Sequence, residues 1–99
     1  MTRKVTIGQN RGKARLWIEG SWLTGFGFVR GAVFHITIAD GRLIIRLGSS
    51  DEHRSRKVSG KGDRPIIDIV GEILTPLVGK DLILTASAGR LIIAERSGV

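Results

Sequence analysis

The sequence contains no cysteine, and this absence removes two common ways of stabilising a small protein. Neither disulfide bonds nor a cysteine-based metal site can hold the fold together. Long apolar runs are also missing, because no stretch approaches the roughly 18 residues of a membrane-spanning helix. Residues 1–13 lack the apolar segment of a secretory signal. These absences favour a cytoplasmic protein that does not contact a membrane.

Sequence motifs of catalysis are missing as well. The chain has no Gly-x-Ser-x-Gly elbow, no phosphate-binding loop and no His-Glu-x-x-His pattern. Its two histidines, His35 and His53, are far apart in sequence and have no cluster of carboxylates nearby, so they predict no metal site. We therefore expect a protein that is not an enzyme and that needs no cofactor.

Acidic residues are scarce in the first half of the chain. The protein carries a net charge of +7, and residues 1–50 contain eight basic but only two acidic side chains. Five basic residues and no acidic one precede Trp17. Such an asymmetric charge favours a polyanionic partner bound by one side of the molecule. The alternative is a solvated basic surface that serves solubility.

What the sequence does contain is an internal repeat. The pentapeptide Gly-Arg-Leu-Ile-Ile occurs at residues 41–45 and again at residues 89–93. Gly20, Leu23 and Thr24 recur at one constant offset as Gly71, Leu74 and Thr75, and the segment Arg3–Thr6 is echoed by Arg56–Ser59. The repeats predict two copies of one small β-rich unit. We divide the single domain, residues 1–99, into a first unit (3–47), a linker (48–55) and a second unit (56–96).

Each unit is predicted to contain two strands, a short helix and two further strands. In the first unit, apolar residues alternate along residues 34–38, and Asp40-Gly41 is a strong signal for a hairpin turn. The second unit has the weaker pair Ala88-Gly89 at the same place. Ser21 is a candidate N-cap for the first helix. Two such units can interlock into one small closed or nearly closed barrel, which would remove most exposed sheet edges.

The segment from Gly20 to Ile45 resembles the SymE toxin family. The resemblance rests on Trp22-Leu23, Gly27-Phe28, Gly31, Val33 and the hairpin pattern Gly41-x-Leu43-x-Ile45, with Phe26 where a small residue is more usual. It covers the first unit well and the second only thinly. SymE-like proteins are similar to the AbrB/SpoVT superfamily, whose swapped-hairpin barrel is normally built by two identical chains.

This resemblance implies a mainly β fold with short helices, arranged as a small pseudo-two-fold barrel of AbrB or double-psi type. It also implies DNA binding through basic residues of the first strands, in a transcriptional regulator or toxin–antitoxin factor of a mobile element. The chain departs from the family by supplying both units itself. A monomeric pseudo-dimer and a homodimer are therefore both open.

The candidate nucleic-acid-binding residues are basic side chains near the first strands of each unit. They would neutralise phosphates and give an affinity that falls steeply with salt, and we favour DNA over RNA. We expect charge reversal at Arg11, Lys13 and Arg15 to abolish binding while the fold survives. The full set is Arg3, Lys4, Arg11, Lys13, Arg15, Arg54, Arg56, Lys57, Lys61 and Arg64.

Two further hypotheses concern the tryptophans and the partner. Trp17 and Trp22 can stack on single-stranded bases, but we predict that both pack in the core, as large aromatic residues usually do. An alternative function is a small phage-encoded protein-interaction module without catalysis of its own, such as an anti-CRISPR-like inhibitor. It would occupy an acidic or DNA-mimicking surface of a host complex.

Overall fold

The fold is mainly β with two short helices, which confirms the predicted fold class at that level. The computed structural model describes residues 1–51 and 54–96. Both helices are of the 3₁₀ type, η1 (Ser21–Phe26) and η2 (Glu72–Leu77). The strands within the described residues are β1 (Thr2–Val5), β2 (Gly8–Asn10), β3 (Lys13–Glu19), β4 (Val33–Ala39), β5 (Arg42–Leu47), β6 (Arg56–Lys57), β7 (Ser59–Lys61), β8 (Arg64–Val70), β9 (Leu82–Ser87) and β10 (Arg90–Glu95).

The strands form two antiparallel sheets. One sheet has six strands in the order β1-β9-β10-β5-β4-β6, and the other has four in the order β2-β3-β8-β7. The chain passes from the first sheet to the second between β1 and β2, and again between β6 and β7. Across the described residues the hydrogen-bonded ladders stay two open sheets and do not form one closed barrel. Neither helix is long and apolar enough to cross a membrane.

Both sheets have a two-fold symmetric strand order. Each of the strands β1 to β5 occupies the position that mirrors that of the strand five places later in the chain. In the six-stranded sheet Ile44 lies opposite Ile92, and the pair is flanked by Leu43 opposite Ile93 and Ile45 opposite Leu91. In the four-stranded sheet the central pair is Trp17 opposite Asp68. A pseudo-two-fold axis therefore passes through these two central pairs.

The strand registers correct the predicted match between Arg3–Thr6 and Arg56–Ser59. Val5 lies opposite Leu82, whereas Arg56 lies opposite Phe34. Leu82 and Phe34 occupy equivalent positions, since both precede the repeated pentapeptide by the same number of residues. Arg56 therefore corresponds to Val5. The predicted match was wrong by two residues because a shift of two preserves the alternation of side chains between the faces.

The core lies between the two sheets and is closed by the helices. Residues that alternate along the strands point inward and are almost wholly buried, as a period of two requires. The helices contribute Leu23, Leu74 and Leu77. The strands contribute Leu16, Ile18, Phe34, Ile36, Leu43, Ile45, Ile67, Ile69, Leu82, Leu84, Ala86, Leu91 and Ile93.

The first helix begins differently from the prediction, because Gly20 and not Ser21 is its N-cap. Gly20 has φ 151°, and no side chain caps the helix by a hydrogen bond. A Cβ atom at this position would lie 2.4 Å from Cδ1 and Nε1 of Trp22. The indole therefore occupies the space that any other residue would fill. Glycine is required here by both the dihedral angle and the contact.

Candidate nucleic-acid interface

Four of the predicted residues lie at the tips of two hairpins. Arg11 and Gly12, with φ values of 54° and 80°, form the two-residue turn between β2 and β3, and Lys13 follows it. Lys61 and Arg64 flank the corresponding turn between β7 and β8. Because β3 and β8 are antiparallel, Lys13 and Arg64 lie at opposite ends of the sheet, about 26 Å apart along the strand direction. The structure therefore places the two tips apart and not in one patch.

Arg15 is already paired within the protein. Its Nε and Nη2 donate to Oδ1 and Oδ2 of Asp68, each at 2.9 Å. The hydrogen bond to Asp68 raises the pKa of Arg15, so the guanidinium stays charged. Arg64 has a looser partner, with its Nε 3.7 Å from Oε2 of Glu19. These two carboxylates reduce the positive charge that the four-stranded sheet presents.

Trp17 lies on the surface, so the prediction that it packs in the core was wrong. The side chain is 46% exposed because it alternates with the buried residues Leu16 and Ile18. Its Nε1 donates to Oε1 of Glu19 at 3.1 Å, and the guanidinium of Arg15 stacks over the ring at 4.5 Å. The indole is thus exposed but fixed on one edge and one face.

Trp22, by contrast, is partly buried and packs against the core, as predicted. The guanidinium of Arg3 lies 4.8 Å from the centre of its ring, and Phe26 contacts it edge-on. Arg3 is opposite Leu84, on the side of β1 that faces the core. Its charge therefore covers an aromatic ring at the end of the core.

Between the two indoles is a small open cleft, which we call the tryptophan cleft. It has a volume of about 140 Å³. It is lined by Arg3, Lys4 and Val5 of β1, by residues 17–19 of β3 and by Trp22.

Arg56 is badly placed for contact with a phosphate. It lies opposite the buried residue Phe34, and its Nε is buried without a hydrogen-bond partner among the described residues. Burial lowers the pKa of Arg56, and the positive charge of Arg54 lowers it further. Arg54 itself is exposed.

Lys4 and Lys57 lie at opposite edges of the outward face of the six-stranded sheet. Lys4 is opposite Ile83, and Lys57 is opposite Val33, both of which point away from the core. Both lysines are exposed. They are the two predicted residues that share a face with three further cations.

Those three cations are Arg42, Arg46 and Arg90, which the sequence reasoning missed. All three are exposed and alternate with the buried residues of β5 and β10. Arg46 and Arg90 lie directly opposite each other, in a row that runs across four strands as Ser87, Arg90, Arg46 and His35. We call this surface the arginine face and define it by Lys4, Arg42, Arg46, Lys57 and Arg90.

Among the described residues, the strands that form the arginine face place no acidic side chain on it. None of the outward positions in its six strands is acidic. The ion pairs between described residues are Arg15–Asp68, Arg64–Glu19 and Lys80–Glu95, none of which involves this face. Like charges directly opposite each other destabilise an antiparallel pair by about 0.2–1 kcal/mol. The arrangement therefore costs stability that an anionic ligand would restore.

The sequence held a signal for this face. Arg42 and Arg90 are the second residues of the two copies of the repeated pentapeptide, at positions that alternate with buried leucine and isoleucine. Closeness to the first strands, which the resemblance favours, pointed to other basic residues. The pairing of β5 with β10, which joins the copies, cannot be read from either copy alone.

The histidines give no metal centre in the part of the chain that the structure describes, where no group of three or more His, Asp or Glu side chains could hold an ion. Nδ1 of His35 is 3.0 Å from the carbonyl oxygen of Gly48. His53 lies outside the described residues.

Comparisons with protein-family models, with curated proteins and with solved structures found no match to this chain.

Proposed function

We propose that this protein binds double-stranded DNA through the arginine face. The observation that carries the proposal is the direct opposition of Arg46 and Arg90 on the two central strands of a sheet whose outward strand positions hold no acidic residue. Two guanidinium groups side by side are suited to phosphate oxygens, since each offers a planar set of donors. A phosphate between them would replace repulsion by attraction.

The spread of the cations favours a duplex over a single strand. Lys4 and Lys57 stand on the first and last strands of the sheet, and five strand spacings give the sheet a width of about 24 Å. This width spans a major groove of about 12 Å together with the phosphate backbones on either side. A single strand would instead require a narrow basic track.

We further propose that the protein acts as a SymE- or AbrB-like regulator. Support comes from the first-unit motif and from the pseudo-two-fold strand order, which matches what two interlocked units would give. The crossings between sheets at residues 6–7 and at Val58 support a barrel-like closure of the type that the resemblance implies. The hairpin tips at Arg11, Lys13 and Lys61 belong to the other sheet, across the core from the arginine face, so this proposal gives them no contact with the duplex.

The experiment compares binding of mixed-sequence duplex DNA by the wild type and by the double variant Arg46→Gln/Arg90→Gln over a series of salt concentrations. We expect the variant to bind at least tenfold more weakly. The plot of log K against log salt should become shallower by about 0.9 for each phosphate that the variant no longer neutralises. Circular dichroism establishes that the variant remains folded.

The matched control is Lys80→Gln/Arg96→Gln, which removes the same charge from outside the arginine face. This control should bind nearly as well as the wild type. Equal losses of affinity in both double variants would mean that only net charge matters and would refute a defined face. Absence of binding by the wild type near 150 mM salt would favour the protein-interaction function instead.

A further inference from the structure

We infer that the tryptophan cleft binds one unpaired nucleobase, stacked on Trp17, beside the DNA that the arginine face holds. The inference rests on the proposed function. It adds that the DNA ligand carries a single-stranded segment next to its duplex. The inference is based on the indole of Trp17, which is exposed to solvent but held in place by a hydrogen bond. Aromatic side chains of this kind bind single-stranded bases because every base has a π face.

Three contacts hold Trp17 ready for a planar ligand. Glu19 accepts the hydrogen bond from Nε1, Arg15 stacks on one face of the ring, and Asp68 fixes Arg15 by two hydrogen bonds. A ligand therefore meets an indole that has little rotameric freedom left to lose. Such pre-organisation reduces the entropic cost of binding.

The size and charge of the cleft suit a base that carries a phosphate. Its volume of about 140 Å³ is well below that of pockets for drug-sized ligands, which run from about 300 Å³ upward, so it admits one ring system. Arg3, whose guanidinium lies over the ring of Trp22, brings a positive charge to the cleft, and Lys4 stands at its edge. Glu19, the carboxylate in the lining, is engaged by Trp17 and Arg64. The positive charge favours an anionic ligand, and the exposed indole favours a planar base over a carboxylate side chain.

Lys4 connects the cleft to the arginine face. It lines the cleft and also points outward at the edge of the six-stranded sheet. Because Trp17 and the arginine face belong to different sheets, a single strand must pass round the β1 edge at Lys4 to reach the cleft from a duplex on the arginine face. The expected ligand is a duplex that carries a single-stranded extension.

The test uses tryptophan fluorescence, which in this chain comes from two indoles without any tyrosine. Trp22→Phe leaves Trp17 as the single reporter, and it removes a buried indole N–H that makes no hydrogen bond to the described residues. We titrate the wild type to measure affinity and this variant to follow the fluorescence of Trp17, each with a blunt duplex and with the same duplex bearing an extension of thymidines. The extension should quench Trp17 and raise the affinity about 5- to 150-fold, the factor that one base–aromatic stack supplies.

Substitution of Trp17 separates the inference from the proposed function. Trp17→Leu should bind the blunt duplex like the wild type but lose the preference for the extension, and Trp17→Phe should restore part of it. Equal affinities of the wild type for both DNAs, without quenching, would overturn the base subsite and leave Trp17 as a candidate protein contact. In that event, retained duplex binding would keep the proposed function, whereas loss of all binding would overturn both.

Discussion

Gly20 decides where the indole of Trp22 lies. Its backbone has φ 151°, and the space of a Cβ atom is filled by the five-membered ring of the indole. Any side chain at this position must strain the backbone and displace Trp22. Because the indole also supports Arg3 and lines the tryptophan cleft, one glycine affects both stability and the surface.

We predict that Gly20→Ala lowers the free energy of unfolding by about 1–3 kcal/mol, the cost of a strained residue with a steric contact. Urea unfolding monitored by tryptophan fluorescence measures the effect. The control is Gly25→Ala in the same helix, where a Cβ atom would meet no atom within 4 Å. The control should be neutral or slightly stabilising because alanine has less chain entropy to lose. Equal stabilities of the two variants would contradict this role of Gly20.

Trp17 shows where residue-level expectation failed. The general preference of aromatic residues for burial predicted a core position, but the alternation along β3 places Trp17 on the outward face. Alternation prevails because Leu16 and Ile18 together bury more apolar surface than Trp17 alone. Glu19 and Arg15, which contact Trp17, are neighbours in the same strand, but Asp68, which fixes Arg15, comes from the other half of the chain and could not be predicted from local sequence.

At the scale of elements, the strand edges are short. The outer strands β2, β6 and β7 have three, two and three residues, and β1 has four. Short edge strands discourage pairing with another molecule. The shortness arises because the chain bends out of one sheet and continues in the other. The same bends therefore link the sheets and limit aggregation.

The Arg46–Arg90 pair leads to a prediction in which stability and binding change in opposite directions. Arg90→Glu replaces a like-charge pair by an ion pair across two adjacent strands. We expect the free energy of unfolding to rise by about 0.2–1 kcal/mol, because opposite charges at such positions stabilise antiparallel sheets. Affinity for duplex DNA should fall. Thermal unfolding and a binding titration on the same preparation measure both effects.

The comparison variant for this pair is Arg90→Gln. It removes the repulsion without adding an attraction, so its stability should lie between those of the wild type and Arg90→Glu. A loss of stability in Arg90→Glu would show that the two arginines do not repel each other in the folded protein.

Turns and alternation predicted most of the elements. Asp40 and Gly41 have φ values of 53° and 73°, as the predicted hairpin turn requires, whereas Gly89 has φ 71° beside an Ala88 without positive φ. The start of η1 was wrong by one residue, because the contact between Gly20 and Trp22 outweighs the capping preference of Ser21. The predicted register of β6 was wrong because a shift of two residues leaves the pattern of apolar residues unchanged.

At the scale of the whole molecule, the two halves of the chain complete each other. Strand β1 pairs with β9, β3 with β8 and β4 with β6, so every sheet contains strands from both halves. Neither half can pair the backbone hydrogen-bonding groups of its edge strands or bury its apolar faces by itself. The core is shared.

We predict that residues 1–50 and residues 51–99, prepared as separate peptides, do not fold as monomers. Segments of this size bury too little surface without a partner, and each lacks the strands that complete its sheets. Circular dichroism with size-exclusion chromatography should show unfolded single peptides and recovery of β structure on equimolar mixing. Cooperative thermal unfolding of either monomeric peptide alone would refute this dependence.

The global arrangement was the least predictable feature. The repeat suggested two related units, but the pairing of β5 with β10 and of β3 with β8 depends on contacts between residues more than 40 positions apart. The first pairing creates the arginine face, and the second brings Asp68 to the Arg15 that stacks on Trp17. The surface we propose as functional thus arises where the halves meet, which is where local sequence carries least information.

The pseudo-two-fold axis has an evolutionary consequence at the pair Trp17–Asp68. Two identical chains arranged in this way would force every residue on the axis to face a copy of itself, either tryptophan against tryptophan or aspartate against aspartate. A single chain is free of this constraint, and here an aromatic residue faces a carboxylate that also binds Arg15. At the other central pair, isoleucine still faces isoleucine. Covalent linkage thus allows divergence at a position that symmetry would otherwise hold fixed.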